Sequence, residues 1–182
     1  MRIPCLILAG FGFMLSGMSP ATEPLKLVDE VDLERYQGRW YEIALLPNRF
    51  QRRCVADTRA EYRLRDDGRV TVTNRCRQAD GGWSEVEGVA RKAEAGGPDA
   101  ALEVRFAPRW LSWLPWVWGE YRIIALDEEY RYAMVGTENR RYLWILARSP
   151  QLDEQVRSRL IELARLQGFD TDQLNFTPHE NH

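Results

Sequence analysis

Alternation between apolar and polar side chains recurs along most of this chain, beginning after Gly38. In the clearest case, Val55 to Leu64, one parity is mostly charged and the other is apolar or small. Because successive side chains of a β-strand point to opposite faces, this pattern predicts a strand with one solvent-facing side. Arg65-Asp66-Asp67-Gly68 is typical of a turn, and the alternation resumes from Val70 to Cys76. The two segments together predict a β-hairpin.

Eight segments of this kind follow one another, joined by connections rich in turn residues. The predicted strands are Arg39–Leu46, Val55–Leu64, Val70–Cys76, Trp83–Lys92, Ala101–Phe106, Gly119–Leu126, Tyr130–Val135 and Tyr142–Arg148. Eight meandering antiparallel strands fit a closed up-and-down β-barrel, and closure leaves no exposed sheet edge. The predicted class is therefore all-β, with a two-sheet sandwich as the alternative architecture.

The apolar period changes to that of a helix near the C-terminus. Ser149 is the expected N-cap, Pro150 the first helical residue, and Gly168 the residue that ends the helix. The apolar stripe consists of Leu152, Val156, Leu160, Leu163 and Ala164. One such C-terminal α-helix is expected to pack outside the sheet. Asn175 and Phe176 are expected to add a short strand after it.

The length of 182 residues suits one domain, but the N-terminus differs in composition from the rest. Arg2 precedes an apolar run from Cys5 to Met18, which is short for a membrane span, and Ser19-Pro20-Ala21 offers a cleavage site. An uncleaved anchor is the alternative. The expected organisation is a signal peptide at 1–21, a linker at 22–31, a domain at 32–178 and a tail at 179–182.

Charge and histidine content argue against several functions. A net charge of −2 gives no general affinity for nucleic acid. The only histidines, His179 and His182, lie in the last four residues, which argues against a buried histidine triad or zinc site. We therefore expect no catalytic residue, no metal site and no cofactor.

The cysteines suggest a disulfide. Signal cleavage would remove Cys5 and leave Cys54 and Cys76, an even pair in an exported protein. Those two share a parity and lie nearly opposite each other across the predicted hairpin. A bridge closing a loop of this size stabilises by roughly 3 kcal/mol. Two unpaired buried cysteines are the alternative.

Three segments carry a recognisable pattern and occur in a fixed order before the helix. They are Gly38-Arg39-Trp40-Tyr41-Glu42-Ile43-Ala44, Tyr130-Arg131-Tyr132-Ala133-Met134-Val135-Gly136 and Tyr142-Leu143-Trp144-Ile145-Leu146-Ala147-Arg148. The first contains a G-x-W motif. Together they resemble the lipocalin family, and within it the bacterial lipocalins of the Blc type. The resemblance covers about residues 30–178. It implies that Trp40 and Arg148 pack together and close the barrel floor, as a structural pair.

An eight-stranded barrel can hold one small ligand. The alternation predicts which side chains point into the barrel and line its interior: Ala56, Thr58, Ala60, Tyr62, Val70, Val72, Leu102, Val104 and Phe106. This apolar surface suits an acyl chain, which gains about 0.8 kcal/mol per buried methylene before entropic costs. The same side chains could instead fill the barrel as core, and the resemblance favours a cavity.

The resemblance implies a carrier of fatty acids or lysophospholipids that acts in membrane maintenance under stress. Its expected place is the periplasm or the periplasmic face of the outer membrane, and relatives of this type can form homodimers. Lipid anchoring departs from the family pattern, because Met1-Arg2-Ile3-Pro4 before Cys5 is not a lipoprotein signal. A pigment or haem carrier and a lipocalin-type isomerase are the alternatives; a disulfide supplies no nucleophile, so we expect no enzyme.

Tryptophan is concentrated in one connection between two predicted strands. Residues 109–118 contain four of the seven tryptophans: Trp110, Trp113, Trp116 and Trp118. Pro108 and Pro115 keep this segment out of regular strand structure. Tryptophan beside arginine is typical of a membrane interface. The loop is expected to touch the bilayer or gate the ligand entrance, with packing against the barrel as the alternative.

Overall fold

The computed structural model describes residues 23–180, so the expected signal peptide and Cys5 lie outside the described part. The strands are β1 (Gly38–Leu45), β2 (Cys54–Leu64), β3 (Val70–Gln78), β4 (Trp83–Lys92), β5 (Ala101–Arg105), β6 (Gly119–Leu126), β7 (Tyr132–Gly136), β8 (Leu143–Ala147) and β9 (Asn175–Phe176). The helices are α1 (Leu33–Tyr36) and α2 (Glu154–Leu166), and short 3₁₀ turns span Arg109–Leu111, Pro115–Val117 and Thr171–Gln173. Within residues 23–180, none of the helices has the length and hydrophobicity needed to span a bilayer.

Strands β1 to β8 form a closed antiparallel barrel, as predicted. Each strand pairs with the next, and β1 pairs with both β2 and β8, which excludes the sandwich alternative. The short strand β9, also predicted, pairs with the end of β1. Because the strands run up and down in turn, the connections at 46–53, 79–82, 106–118 and 137–142 share one end, here called the mouth. The opposite end, where β1 begins and β8 ends, is called the floor.

Two apolar clusters stabilise the barrel. The inner cluster lies inside it near the floor and includes Trp40, Val135 and Leu146. The outer cluster lies between the sheet and α2, where Leu160 and Ala164 pack with residues of β7 and β8. Strand β7 is buried on both faces, because one face points into the barrel and α2 covers the other.

Helix α2 begins later than the sequence suggested. Asp153, not Ser149, is the N-cap, and its carboxylate accepts hydrogen bonds from the backbone N–H groups of Gln155 and Val156. The hydroxyl of Ser149 instead accepts from the Gln151 N–H and forms a local turn, so Pro150 lies outside the helix. The predicted end is confirmed, since Gly168 adopts a φ of 87°.

The β6–β7 connection shortens one predicted strand. Tyr130 was expected to open β7, but it lies in the turn with a φ of 60°, and β7 begins at Tyr132. Its N–H donates to the carbonyl oxygen of Asp127 over 2.8 Å, which closes the turn. The tyrosine ring is nevertheless buried at the floor.

The segments expected to be linker and tail pack against the barrel. The Val28 N–H donates to the carbonyl of Ile123 over 3.1 Å, and Val31 is buried in the inner cluster. At the other terminus, His179 Nε2 lies 2.8 Å from the backbone carbonyl oxygen of Glu42. The Asp57 N–H donates to the carbonyl of Pro178 over 2.9 Å. Residues of both flanking segments therefore contact the barrel, and the domain boundaries 32–178 stay a prediction.

Candidate ligand-binding site

The barrel encloses a cavity of about 430 Å³ that extends to the mouth. Apolar and aromatic side chains form most of its surface, with Phe50 and Phe106 at its exposed end. Polar side chains, among them Thr58, Asn74 and Arg75, contribute the rest. Six of the predicted lining residues border it: Thr58, Ala60, Tyr62, Val72, Val104 and Phe106. The interior is therefore incompletely filled by side chains, and contact of these residues with a ligand stays a prediction.

A narrow extension continues from the cavity towards the floor. The predicted lining residues Val70 and Leu102 border this extension rather than the main cavity, together with Leu33 and Tyr36. Tyr62 and Tyr121 border both spaces, so the two are adjacent. A ligand that entered from the mouth would reach these tyrosines with its leading end.

Ala56 borders neither space, contrary to the prediction from parity. The pairing of β2 with β3 shifts between Cys54 and Ala56 and again between Ala56 and Arg59. Each irregularity changes which residues of β2 face inwards, because a one-residue slip exchanges the two faces. The backbone of Asp57 takes a φ of 53° at this point.

Asp57 is buried, although alternation placed it on the charged outer face. Its carboxylate accepts from Arg77 Nε over 3.2 Å and from the Glu180 N–H over 2.9 Å. Burial acts to raise the pKa of Asp57, but these hydrogen bonds and the charge of Arg77 outweigh it and lower the pKa. Asp57 thus anchors the C-terminal segment instead of lying on the outer face.

The predicted disulfide between Cys54 and Cys76 is confirmed. Their Cα atoms lie 5.5 Å apart, and the bridge joins the start of β2 to the end of β3. Both cysteines border the cavity near the mouth. Neither described cysteine is therefore a free thiol.

The floor is closed by Trp40 and the side chain of Arg148. Trp40 is fully buried, and its indole N–H donates to the carbonyl oxygen of Tyr36 over 2.8 Å. The guanidinium carbon of Arg148 lies 4.0 Å from the centre of the Trp40 ring. The same guanidinium donates to the backbone carbonyls of Arg35, Arg39 and Tyr130. One side chain thereby joins α1, β1 and the β6–β7 turn.

Three tyrosine hydroxyls meet above the floor. The hydroxyl of Tyr121 lies 2.9 Å from those of both Tyr36 and Tyr62. Burial raises the pKa of all three, that of Tyr62 to about 12, so the hydroxyls stay neutral at physiological pH. Of the three, only Tyr62 is among the lining residues predicted from parity. Tyr121 shares the parity of the buried Ile123, a signal that could have revealed it.

Glu42 is a buried carboxyl group in the cavity wall and is not among the lining residues predicted from the sequence. It accepts from Gln51 Nε2 over 2.5 Å and from the hydroxyl of Thr177 over 2.6 Å. Burial raises its pKa, and these hydrogen bonds oppose the shift. Trp144 Nε1 also donates to Gln51 over 2.9 Å. The cluster therefore holds the first mouth loop and the C-terminal segment against β1.

The tryptophan-rich connection divides into an anchored part and an exposed part. Trp110, Trp113 and Trp116 are 74%, 77% and 76% exposed. Trp118 packs against the barrel, with the guanidinium carbon of Arg91 3.9 Å from its ring centre, and its N–H donates to the carbonyl of Ser112. Trp118 thus packs against the barrel and the other three rings are exposed, while contact of this loop with a membrane stays a prediction.

Comparisons with known proteins agree with this geometry. The family described as "Lipocalin-like domain" matches residues 31–179. Temperature-induced lipocalin-1 of Arabidopsis thaliana is 39% identical over 158 residues, covering 86% of this chain and 84% of that protein. Outer membrane lipoprotein Blc of Escherichia coli strain K12 is 38% identical over 172 residues, covering 92% of each.

Solved structures show the same fold at lower identity. The crystal structure of apocrustacyanin C1 superposes with a TM-score of 0.64 at 20% identity, covering 87% of this chain and 91% of that one. The barrel closed by Trp40 and Arg148, the outer helix α2 and the family match all lead to one assignment. The chain belongs to the lipocalin family.

Proposed function

We propose that this protein is a lipid carrier that holds a fatty acid or a lysophospholipid in its barrel without making or breaking a bond. The observation that carries the proposal is the largely apolar cavity of about 430 Å³, closed at the floor by Trp40 and Arg148. Small-molecule sites commonly measure about 300–1,000 Å³. Membership of the lipocalin family supports a small hydrophobic ligand, and the bonded state of Cys54 and Cys76 leaves no thiol nucleophile there.

The same proposal places the protein in the bacterial envelope, where it would store or move lipids during membrane maintenance under stress. Support comes from the similarity to outer membrane lipoprotein Blc of Escherichia coli. We propose export to the periplasm or the periplasmic face of the outer membrane. Fractionation of cells that produce the full chain tests this location, and recovery in the cytoplasm would contradict it.

We further propose that the mouth docks on the bilayer through Trp110, Trp113 and Trp116. Their spacing of three residues matches one turn of 3₁₀ structure, which two parts of this segment adopt. Leu114 is buried and Trp118 is anchored, so the segment can present the three exposed rings without being loose. Arg49, Arg52 and Arg53, exposed on another mouth loop, suit lipid phosphates.

Ligand binding is tested first by native mass spectrometry of the mature protein purified from its own envelope, followed by lipid extraction. Near one fatty acid or lysophospholipid per chain supports the carrier function and identifies the lipid. An empty barrel that also fails to take up a fluorescent acyl probe would refute it. In that case the side chains serve only as core and a protein-interaction role takes its place.

A matched pair of variants locates the binding in the cavity. Val104→Phe introduces a ring into the cavity wall, whereas Glu103→Phe places the same ring at the neighbouring position, where Glu103 pairs with Arg91 on the outer face. We expect Val104→Phe to weaken acyl-probe binding at least about tenfold, since the ring displaces buried methylenes. Glu103→Phe should bind as the unmodified protein does. Equal effects would place binding elsewhere.

Membrane docking is tested with vesicles of phosphatidylethanolamine and phosphatidylglycerol. Replacing Trp110, Trp113 and Trp116 together by serine should lower vesicle partitioning by about tenfold or more, since each ring buries a large apolar area at an interface. Leu166→Ser is the control, because Leu166 is equally exposed, at 76%, but lies at the end of α2. Unchanged partitioning of the triple variant would exclude docking through this loop.

A further inference from the structure

The three tyrosine hydroxyls above the floor carry an inference that deepens the proposed function and rests on it. They form an open chain in which Tyr121 is the middle member, 2.9 Å from Tyr36 and 2.9 Å from Tyr62. Each phenol carries one donor proton. Two hydrogen bonds use two of the three protons, whichever way they point. One hydroxyl proton of the chain is therefore left without an acceptor.

The narrow extension offers no acceptor for this third proton. Within residues 23–180, the three hydroxyls make hydrogen bonds only with one another. The other side chains that border the narrow extension are apolar: Leu33, Val70, Val72, Ala90 and Leu102. A buried donor without a partner costs free energy, so an acceptor placed there gains more than one placed in water.

The positions of the three tyrosines show from which side an acceptor can approach. Tyr62 and Tyr121 border the main cavity, whereas Tyr36 borders only the narrow extension below it. The leading end of a molecule that enters from the mouth reaches Tyr62 and Tyr121 first. The unused donor is thus presented to the ligand at the inner end of the cavity, next to the apolar side chains of the extension.

An uncharged acceptor suits the inner end of the cavity best. Burial raises the pKa of the three tyrosines, so they donate as neutral phenols. A carboxylate at this depth would lose its water, and the described residues that border the extension include no cation to replace it. A ketone, an alcohol or a protonated carboxyl group meets the requirement, whereas a bare methyl terminus leaves the donor unmatched.

We propose that the barrel selects elongated apolar ligands whose leading end carries an uncharged acceptor oxygen, which binds to the hydroxyl of Tyr62 or Tyr121. A fatty acid then enters with its carboxyl group first and protonated. A lysophospholipid, whose head group is too polar to enter, would leave the donor unmatched unless its chain ends in an oxygen function. The two ligand classes of the proposed function are thereby ranked by the chemistry of their inner ends.

The experiment uses two ligands that differ only at the acceptor. 2-Undecanone has a carbonyl oxygen where 2-methyl-1-undecene has a methylene group, and the two molecules otherwise share their shape. Each competes with a fluorescent acyl probe for the mature protein. Three proteins are compared: the unmodified chain, the double variant Tyr62→Phe/Tyr121→Phe, and Tyr36→Phe.

The double variant should weaken ketone binding relative to the alkene by about threefold to tenfold, the effect of one neutral hydrogen bond. Tyr36→Phe is the matched control, because Tyr62 and Tyr121 keep their mutual bond and still have one unused proton. It should retain the preference of the unmodified protein. An unchanged ratio in the double variant overturns the inference while leaving the carrier function intact. Failure of both ligands and the probe to bind the unmodified chain overturns both.

A second measurement needs no variant. The infrared carbonyl band of bound 2-undecanone should lie at lower frequency than that of the ketone in an alkane, because a hydrogen bond weakens the carbonyl bond. A band at the alkane position shows a carbonyl without a donor and rejects the inference, even if the double variant does not fold.

Discussion

The two ends of the barrel use tryptophan and arginine in opposite ways. At the floor, Trp40 is fully buried, and Arg148 lies over its ring and donates to three backbone carbonyls. At the mouth, Trp110, Trp113 and Trp116 are mostly exposed. Burial stabilises the fold, whereas exposed apolar area contributes nothing to folding and indicates a contact surface. The same residue types therefore close one end of the barrel and present a surface at the other.

The largest effect is expected from breaking the floor. Trp40→Ala should lower the free energy of unfolding by about 3–5 kcal/mol, since it removes a buried ring and leaves a cavity beneath Arg148. Trp113→Ala is the matched control at the mouth and should change stability by less than about 0.5 kcal/mol. Urea denaturation measures both. Similar losses for the two variants would show that the ends do not differ as the structure indicates.

The next effect concerns the mouth end of the sheet, where the disulfide joins β2 to β3. Replacing Cys54 and Cys76 together by alanine should cost about 3 kcal/mol, because the unfolded chain loses its cross-link. The unmodified protein in reducing agent should lose a similar amount, whereas the double variant should not respond to the reagent. Equal free energies of unfolding with and without the bridge would show that side-chain packing alone stabilises the mouth end of the sheet.

A smaller effect on stability is expected from two buried carboxyl groups, Asp127 and Glu42, whose contributions should depend on pH in opposite ways. Asp127, in the turn at the floor end, accepts two hydrogen bonds from the guanidinium of Arg131, and its pKa is lowered to about 2. The stability it contributes is present above pH 3.8 and is lost as the pH falls towards about 2. Asp127→Asn should therefore cost about 1–2 kcal/mol at neutral pH, and the cost should vanish in acid.

Glu42 in the cavity wall should behave in the opposite sense. Burial raises its pKa above the ordinary value of 4.5, so the folded protein binds the proton more tightly than the unfolded chain. The free energy of unfolding should therefore fall as the pH rises above 4.5 and through the raised pKa of Glu42. Glu42→Gln should remove this dependence of stability on pH. Denaturation curves between acid and neutral pH measure both variants. If stability changed with pH in the same way in Asp127→Asn and Glu42→Gln, the opposite pKa shifts of the two carboxyl groups would be contradicted.

The smallest effect on stability is expected for the variant with the largest expected effect on vesicle binding. Replacing Trp110, Trp113 and Trp116 by serine should change the free energy of unfolding by no more than about 0.5 kcal/mol, since these side chains are exposed. Thermal unfolding checks this. A marked loss of stability would mean that the three rings pack on the barrel in solution.

Most of the barrel could be predicted because its determinants are local. Alternation located all eight strands within a few residues, and the limits of Trp83–Lys92 and Gly119–Leu126 agree with the structure. Helix α2 shows the limit of such reasoning. Ser149 and Asp153 are both good capping residues, and what decides between them is where the helix packs, not their own propensity.

The candidate site was less accessible to sequence reasoning. Parity placed Thr58, Ala60 and Tyr62 correctly at the cavity, but it failed for Ala56 because β2 is irregular near its start. An irregularity of this kind has no strong sequence signal here, and a single one exchanges the faces.

By itself, the sequence determined the period of each segment, the order of the strands, the Cys54–Cys76 pair and the position of the tryptophan-rich loop between two strands. These depend on neighbouring residues or on one hairpin. Only the tertiary structure decided that Tyr36, Tyr62 and Tyr121 share one hydrogen-bonded chain and that Glu42 meets Thr177. The residues in each group are far apart along the chain, and barrel closure, driven by burial of apolar side chains from all the strands, is what brings their polar groups within bonding distance.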